Sequence, residues 1–163
     1  MQAAVFMAAD APSRTTIYAL TDSGVGDPIG SITLKDSKRG LLLIPKLSQL
    51  PPGSHGIHVH ENADCGALVK DGKSVAGLAA GGHFDPAKSG KHLGPMGSGH
   101  KGDLPALTVA ADGTAKGKLV APHLSVAEVR GHAIIIHAGG DNYSDEPKPL
   151  GGGGPRIACG VIE

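Results

Sequence analysis

Glycine and proline interrupt this chain too often for long helices. Its 163 residues include 26 glycines and 12 prolines, and both types favour turns over helix interiors. No apolar run reaches fifteen residues, so we expect neither a transmembrane span nor an intact signal peptide. The pattern predicts an all-β chain: a loose start over residues 1–14, then one antiparallel sandwich or barrel, in a single domain over residues 1–163. If the protein is exported, its leader peptide is absent from this sequence.

Several segments have the composition or the alternation of strands. A hairpin is predicted over Leu107–Ala121, where Asp112 and Gly113 form a turn between two strand-like flanks. One short helix is expected near Leu124–Val129, with Ser125 as its N-cap. The other predicted strands are Thr15–Leu20, Gly30–Asp36, Gly40–Leu47, His132–Ala138 and Arg156–Ile162.

The charge balance excludes partners that bind through a basic surface. Lys and Arg together number 15, as do Asp and Glu, so the formal net charge is zero when the histidines are neutral. No basic excess is available to collect phosphates, and we expect neither nucleic acid nor a membrane as a partner. Aromatic residues are scarce, so Val, Ile, Leu and Ala must build the core.

The segment HGIHVHEN, residues 55–62, places three histidines within six residues. Alternate side chains of a strand point to one face, so His58 and His60 would lie side by side while Val59 points into the core. Two neutral imidazoles on a rigid strand make half of a metal site. His55 falls on the other face and is set apart from the pair. The alternative is a polar strand face whose histidines bind nothing.

Two long glycine-rich segments, residues 64–105 and 139–155, interrupt the strand pattern. Long irregular loops in a compact domain are usually functional or disordered. The first segment supplies further groups that can bind metal, which argues against disorder. Together with the strands, the chain offers six histidines and one carboxylate: His58, His60, His83, His92, His100, His137 and Asp103.

This set is too large for one metal ion. A zinc ion usually takes four ligands, so seven groups suit two ions that share one ligand. Imidazole suits copper and zinc, and a tetrahedral set with one carboxylate suits zinc. The residues therefore predict two transition metals and leave open which histidine is shared. A zinc hydrolase with three histidines and a bound water is the alternative, although it leaves three histidines unexplained.

The chain has two cysteines, Cys65 and Cys159. An even number permits one disulfide, and two reduced, buried thiols are the alternative that the count leaves open. A bond would close a loop of about 90–100 residues, which the chain-entropy model values at roughly 4–5 kcal/mol. It would also indicate an oxidising compartment.

Four stretches carry a family resemblance: GSHGIHVHENADC, GGHFDPAKSGKHLGP, GHKGDLPAL and HAGGDNYSDEPKPLGGGGPRIACGVI. Together they resemble the copper/zinc superoxide dismutases, specifically the bacterial periplasmic branch, over nearly all of the chain from about Ile17. The resemblance implies a Greek-key β-barrel with two long functional loops. It also implies a periplasmic enzyme that protects against superoxide by dismutating it to oxygen and hydrogen peroxide. The catalyst would be a redox-cycling copper ion, joined through a histidine to a structural zinc.

The resemblance implies a role for individual residues. His83 would bind both metals and take part in catalysis, and Arg156 would attract the anionic substrate beside the copper. Asp141 would hydrogen-bond ligands of both metals, His58 and His92. With one ion of each metal per subunit, the copper ligands would be His58, His60, His83 and His137, and the zinc ligands His83, His92, His100 and Asp103.

Cys65 and Cys159 match the intrasubunit disulfide of this family. Phe84 occupies a region near the subunit contact of dimeric bacterial relatives, so the resemblance allows a homodimer and leaves monomer or dimer open. His55 matches a structural position near the copper strand.

His123 and His132 match no ligand position, and a surface or packed role is expected for both. A copper carrier of the same fold without turnover remains an alternative. A carrier would need neither a zinc site nor a cation such as Arg156 to guide an anion, and this argues for the enzyme.

Overall fold

The computed structural model describes residues 11–163. They contain one short helix, α1 (Val126–Val129), and two 3-10 turns at Leu78–Ala80 and Pro149–Gly152. No helix of this part of the chain is long and apolar enough to cross a membrane. The strands are β1 (Ser13–Thr21), β2 (Gly24–Ser37), β3 (Gly40–Leu47), β4 (Gly53–His55), β5 (Ile57–His60), β6 (Leu68–Lys70), β7 (Lys73–Val75), β8 (Leu107–Val109), β9 (Leu119–Ala121), β10 (Ala133–His137) and β11 (Arg156–Val161).

Seven of these strands form one curled antiparallel sheet in the order β5-β10-β11-β1-β2-β3-β9. The strands β4 and β8 pair in a small second sheet, and β6 and β7 pair in a third. The last strand, β11, lies between β10 and β1, so the chain returns to its beginning. The predicted all-β, Greek-key barrel is thus confirmed.

Alternation along β5 and β10 directs their side chains to two faces of the sheet. Val59 and Ile134 are paired across the two strands and belong to the main apolar core. Ile135 is paired with His58 and belongs to a smaller cluster around the two cysteines. His58 and His60 therefore share the face opposite Val59, as the sequence predicts, and the long loops cover that face.

The hairpin predicted over Leu107–Ala121 is wrong. Its turn is present, because Thr114 N donates to Asp112 Oδ1 at 3.0 Å. Its flanks pair elsewhere, β8 with β4 and β9 with β3. The chain crosses over after the turn, where Ala115 pairs with Leu47. This crossing lets β9 cover the edge of β3, whose backbone groups would otherwise lack partners.

Two other expectations need correction in detail. Ser13 and Arg14 belong to β1, where they pair with β2, so the loose start is shorter than predicted. Residues 1–10 of that start lie outside the described residues. The first long loop also contains regular structure, since β6 and β7 form a hairpin within it.

The predicted helix cap is confirmed, because Ser125 Oγ accepts a hydrogen bond from Glu128 N at 3.4 Å.

A disulfide joins Cys65 to Cys159 across a sequence separation of 94 residues, so the alternative of two reduced thiols is excluded. Both cysteines are buried, with 7% and 0% of their surface exposed. The bond ties the first long loop to β11, close to Arg156 at the start of that strand.

Removing the disulfide should lower stability without abolishing the sheet. The double substitution Cys65→Ser and Cys159→Ser should reduce the free energy of unfolding by roughly 4–5 kcal/mol, because the unfolded chain regains the entropy of a long open loop. Urea unfolding measures this loss. A reducing agent should destabilise the parent and leave the double variant unchanged. Equal stability of the two oxidised proteins would contradict this account.

Candidate metal centre

Four histidines converge on the outer face of β5 and β10. His58 and His60 lie on β5, and His137 ends β10. His83 comes from the first long loop and forms an isolated bridge with His60. All four side chains are buried, and one possible ligand atom from each lies within 4.8 Å of the others. We call these four residues the first group.

Each member of the first group buries one ring nitrogen that has no hydrogen-bond partner. Such a group typically costs about 1–3 kcal/mol, and native structures contain few of them. Four such nitrogens that face one another indicate a bound cation that accepts a lone pair from each of them. The four atoms are His58 Nδ1, His60 Nε2, His83 Nε2 and His137 Nε2.

The second ring nitrogen of each of these four histidines is hydrogen-bonded. A carbonyl or carboxylate oxygen can only accept, so the proton of the neutral ring is held on that side. The free nitrogen then presents a lone pair to the centre of the group. The bonds run from His58 Nε2 to Asp141 (2.7 Å), from His60 Nδ1 to Gly81 O (2.9 Å), from His83 Nδ1 to Asp103 Oδ1 (3.1 Å) and from His137 Nδ1 to Gly154 O (3.1 Å).

A second group of possible ligands adjoins the first and contains His83, His92, Asp103 and again His58. His83 Nδ1 lies 3.1 Å from Asp103 Oδ1, and His92 Nδ1 lies 2.9 Å from Asp103 Oδ2. His100 Nδ1 lies at the edge of this group, 3.5 Å from Asp103 Oδ1. The Nδ1 atoms of His92 and His100 are also buried without a hydrogen-bond partner.

Asp141 connects the two groups. Its Oδ2 accepts a hydrogen bond from His58, and its Oδ1 accepts one from His92, each at 2.7 Å. Tyr143 N also donates to Oδ1, at 2.8 Å. Gly151 leaves room for this carboxylate: a Cβ there would lie 2.0 Å from Asp141 Oδ1, and its φ of +74° independently favours glycine.

Burial keeps the first group neutral. It is the main cause that lowers the pKa of His83 to about 4 and the pKa of His137 to about 3. Burial also lowers the pKa of His58 and that of His60. Neutral imidazole is the form that binds one metal ion, so at neutral pH no proton has to leave these rings before their four free nitrogens bind that ion.

The second group carries charge. Burial opposes a charge on His92, but its close contact with Asp103, its hydrogen bond to Asp141 and the Coulomb attraction of both carboxylates outweigh burial and raise the pKa of His92 to about 9. Burial likewise opposes both carboxylates. The hydrogen bond from His83 and the close contact with His92 nevertheless lower the pKa of Asp103, and hydrogen bonds from His58 and His92 lower the pKa of Asp141. Ionised carboxylates at this end of the site suit a divalent cation.

Arg156 lies beside the first group. Its Nη1 donates to Gly77 O and its Nη2 to Gly81 O, each at 2.7 Å, and Gly81 O also accepts from His60. After burial, the charge of Arg156 contributes to the lowered pKa of His60 and that of His137. Within residues 11–163, no salt bridge pairs Arg156 with a carboxylate. The guanidinium is therefore a fixed cation with donors to spare.

The donors fit copper and zinc. Unpartnered imidazole nitrogens suit either metal, and a carboxylate among histidines suits zinc. The histidines that bury such a nitrogen are His58, His60, His83, His92, His100 and His137.

Comparison with known proteins identifies the family. The model of the copper/zinc superoxide dismutase (SODC) family matches residues 29–162. The chain belongs to the copper/zinc superoxide dismutase family. It is 52% identical to superoxide dismutase [Cu-Zn] 2 of Salmonella typhimurium and 51% identical to superoxide dismutase [Cu-Zn] of Escherichia coli K12. Both alignments cover 94% of this chain and 89% of the relative.

Solved structures agree with this assignment. The Cu/Zn superoxide dismutase from Brucella abortus matches with a TM-score of 0.92 and 48% identity, and the monomeric copper, zinc enzyme from Salmonella enterica with 0.85 and 51%. Each match covers 94% of this chain and 100% of the other. The enzyme therefore dismutates superoxide to oxygen and hydrogen peroxide and uses copper and zinc as its metals.

The dismutase brings together the side chains that the sequence predicts as ligands, and it leaves three histidines outside both groups. His55 Nδ1 lies 2.8 Å from His137 O, the structural position expected for it. The ring of His132 packs on Phe84 with centroids 4.4 Å apart. His123 is exposed.

Sequence reasoning missed the backbone groups of the site. The carbonyls of Gly81 and Gly154 hold two of the histidines, and Gly151 makes room for Asp141. A carbonyl has no residue-specific signature, so only the dense glycines beside His83 and before Arg156 could have indicated these positions.

The metal-free dismutase should lose stability on both sides of neutral pH. The folded pKa values of His83 and His137 lie below the unfolded value of about 6.5, so stability should fall as the pH drops from 6.5 towards 4. The expected slope is about 1.4 kcal/mol per pH unit for each histidine. His92 has a raised pKa, and its contribution should be lost as the pH rises from 6.5 through about 9.

Urea unfolding of chelator-treated protein between pH 4 and 10 tests this profile. A flat profile between pH 4 and 7 would show that the histidines of the first group are not held neutral in the fold.

Proposed function

We propose that the first group binds copper and that the second binds zinc, with one ion of each per subunit. The copper ligands are His58, His60, His83 and His137, and the zinc ligands are His83, His92, His100 and Asp103. The observation that carries the proposal is the set of six buried ring nitrogens without hydrogen-bond partners. All six belong to proposed ligands.

His83 is the ligand shared by the two metals. His58, His60, His92 and His137 each use their other ring nitrogen in a hydrogen bond to a protein acceptor. The partner of His83 Nδ1 is Asp103, which is itself a proposed zinc ligand, while His83 Nε2 faces the first group. One imidazole can therefore serve both sites, as the count of ligands requires.

His58 is also near the second group, but it is a poor candidate for zinc. Its Nε2 donates to Asp141, so only Nδ1 can bind a metal. That atom belongs with the copper set because His60 follows two residues later on the same strand face. His100 completes the zinc set, since its buried Nδ1 has no hydrogen-bond partner.

When bound, copper supplies one-electron redox chemistry with superoxide, and zinc supplies a fixed positive charge. The protein holds the rings of His58, His60 and His137 in one tautomer. His83 Nε2 is the ring atom that can take up a proton whenever it is not a ligand.

Arg156 attracts and positions superoxide beside the copper set. Its two bonds to glycine carbonyls fix the guanidinium, and its charge reaches His60 and His137. The zero net charge excludes attraction by the whole molecule, so attraction must be local.

The complete donor set favours turnover over a carrier of the same fold. A carrier would need neither the zinc carboxylate Asp103 nor an unpaired cation. A zinc hydrolase needs only one metal site and would leave the histidines of the first group unexplained.

The protein acts in an oxidising compartment, and we propose the periplasm. The disulfide supports this location, as do relatives in Salmonella and Escherichia coli. Osmotic-shock fractionation of the source cells, with thiols alkylated at lysis, should recover the activity with periplasmic markers and with no reactive thiol. Activity that fractionates with cytosolic markers would refute the location.

A homodimer would use the surface around Phe84, and we propose this site for it. Phe84 is partly buried against His132 in a shallow cleft that Glu61, Asp85 and Pro86 also line. Light scattering over a range of concentrations should detect a dimer that Phe84→Ala weakens. A monomer at all concentrations, as in the Salmonella enterica structure, would rule the dimer out.

The substitution His137→Ala should abolish copper-dependent activity and leave zinc bound. His137 lies in the first group and is not one of the proposed zinc ligands. Metal analysis after dialysis and a superoxide assay measure both effects. The matched control is His123→Ala, which removes an exposed imidazole and should keep both metals and full activity. Full activity of copper-loaded His137→Ala would overturn the copper set.

The charge of Arg156 should set the salt dependence of the rate. Arg156→Gln keeps N–H donors for Gly77 and Gly81 but removes the charge, so the rate should fall by up to roughly tenfold. Added salt should slow the parent as the Debye length drops from about 10 Å at 0.1 M to about 3 Å at 1 M, and it should slow Arg156→Gln less.

Arg156→Lys keeps the charge and should retain the parental salt dependence. Measuring the rate against ionic strength for the three proteins shows whether Arg156 attracts superoxide or only stabilises the loop. Identical slopes for the parent and Arg156→Gln would show that Arg156 does not attract the substrate.

A further inference from the structure

A closed ring of backbone hydrogen bonds joins three separate segments beneath the metal centre. Val59 N donates to Gly102 O at 2.9 Å, Gly102 N donates to Phe84 O at 2.8 Å, and Phe84 N donates to Val59 O at 2.8 Å. Each residue gives one bond and receives one. No segment can move relative to the other two without breaking two of the three bonds.

Each member of this ring is next to a proposed ligand in the chain. Val59 lies between two copper ligands, Phe84 follows the shared histidine, and Gly102 precedes the zinc carboxylate. Two of the ring bonds belong to isolated antiparallel bridges that pair His58 with Asp103 and His60 with His83. The second bridge adds a bond from Glu61 N to Gly82 O at 3.0 Å. The ring therefore fixes the positions of β5, the shared ligand and the zinc carboxylate relative to one another through backbone hydrogen bonds alone.

Gly102 allows the three segments to approach. A Cβ at this position would lie 2.3 Å from Val59 O and 2.9 Å from the Cβ of Phe84. Neither atom can move away by a side-chain rotation, so any larger residue must push the segments apart. Its φ lies outside the left-handed region, and close packing is thus the reason for glycine here.

We propose that Gly102 is a positioning residue, and that the Val59–Phe84–Gly102 ring holds the ligands of both metals at their spacing before either metal binds. The inference rests on the proposed ligand assignment and goes beyond it, because it assigns the organisation of the site to the polypeptide. The competing account is that the metals themselves draw flexible loops together.

The first test uses the metal-free parent with its disulfide intact. Hydrogen exchange of individual amides, followed by NMR, should show the amides of Val59, Phe84 and Gly102 protected to a similar degree, because they open together. Exchange of the Phe84 and Gly102 amides at the rate of an unstructured loop would overturn the proposal. This readout needs no metal and no activity.

The second test compares Gly102→Ala with the matched control Gly117→Ala. A Cβ at Gly117 meets nothing within 4 Å, and its φ is also outside the left-handed region. Gly102→Ala should weaken zinc binding by about 10–100-fold in a chelator competition, the range typical when support around a ligand is lost. It should also change the visible spectrum of Co²⁺ in the zinc site and the paramagnetic resonance spectrum of Cu²⁺. Gly117→Ala should match the parent in all three.

Parental affinity and spectra for Gly102→Ala would refute the ring as a positioning device. If Gly102→Ala does not fold, the exchange result on the parent decides alone. Failure of the ligand assignment is distinguishable: active, copper-loaded His137→Ala together with protected ring amides would overturn the copper set and leave the ring in place.

Discussion

The structure depends on the burial of six imidazole nitrogens that have no hydrogen-bond partner. Each would destabilise the fold by about 1–3 kcal/mol if nothing satisfied it. Because these atoms face one another in two adjoining groups, a cation in each group satisfies several of them at once. Metal binding and folding are therefore linked, since binding removes a cost that the folded protein otherwise carries.

The barrel makes this burial possible by separating core from site. Val59 and Ile134 pack on the inner face of the same two strands whose outer face carries the histidines. The strands stay rigid for reasons unrelated to metal, while Asp141 and glycine carbonyls fix the tautomers of the rings. The proposed backbone ring through Gly102 sets the distance between the segments that carry the ligands.

The sequence predicts the parts of this arrangement that depend on local pattern. The spacing of His58 and His60 predicts a shared strand face, and the alternating and β-branched segments predict the strands. The sequence does not predict pairing between distant segments, because nothing local indicates that the flanks of Asp112 pair with β4 and β3. The shared role of His83 likewise depends on where both of its ring nitrogens point, which is a property of the folded chain.

The central proposal is that the single imidazole of His83 faces both metals, and loading Cu²⁺ into both sites tests it most directly. A bridging imidazolate couples the unpaired electrons of two copper ions antiferromagnetically. The low-temperature paramagnetic resonance signal of the two-copper protein should therefore fall far below that of two isolated ions, whereas protein with one copper and one zinc should give a full one-copper signal. Two independent copper signals that add to the full intensity would contradict a shared His83.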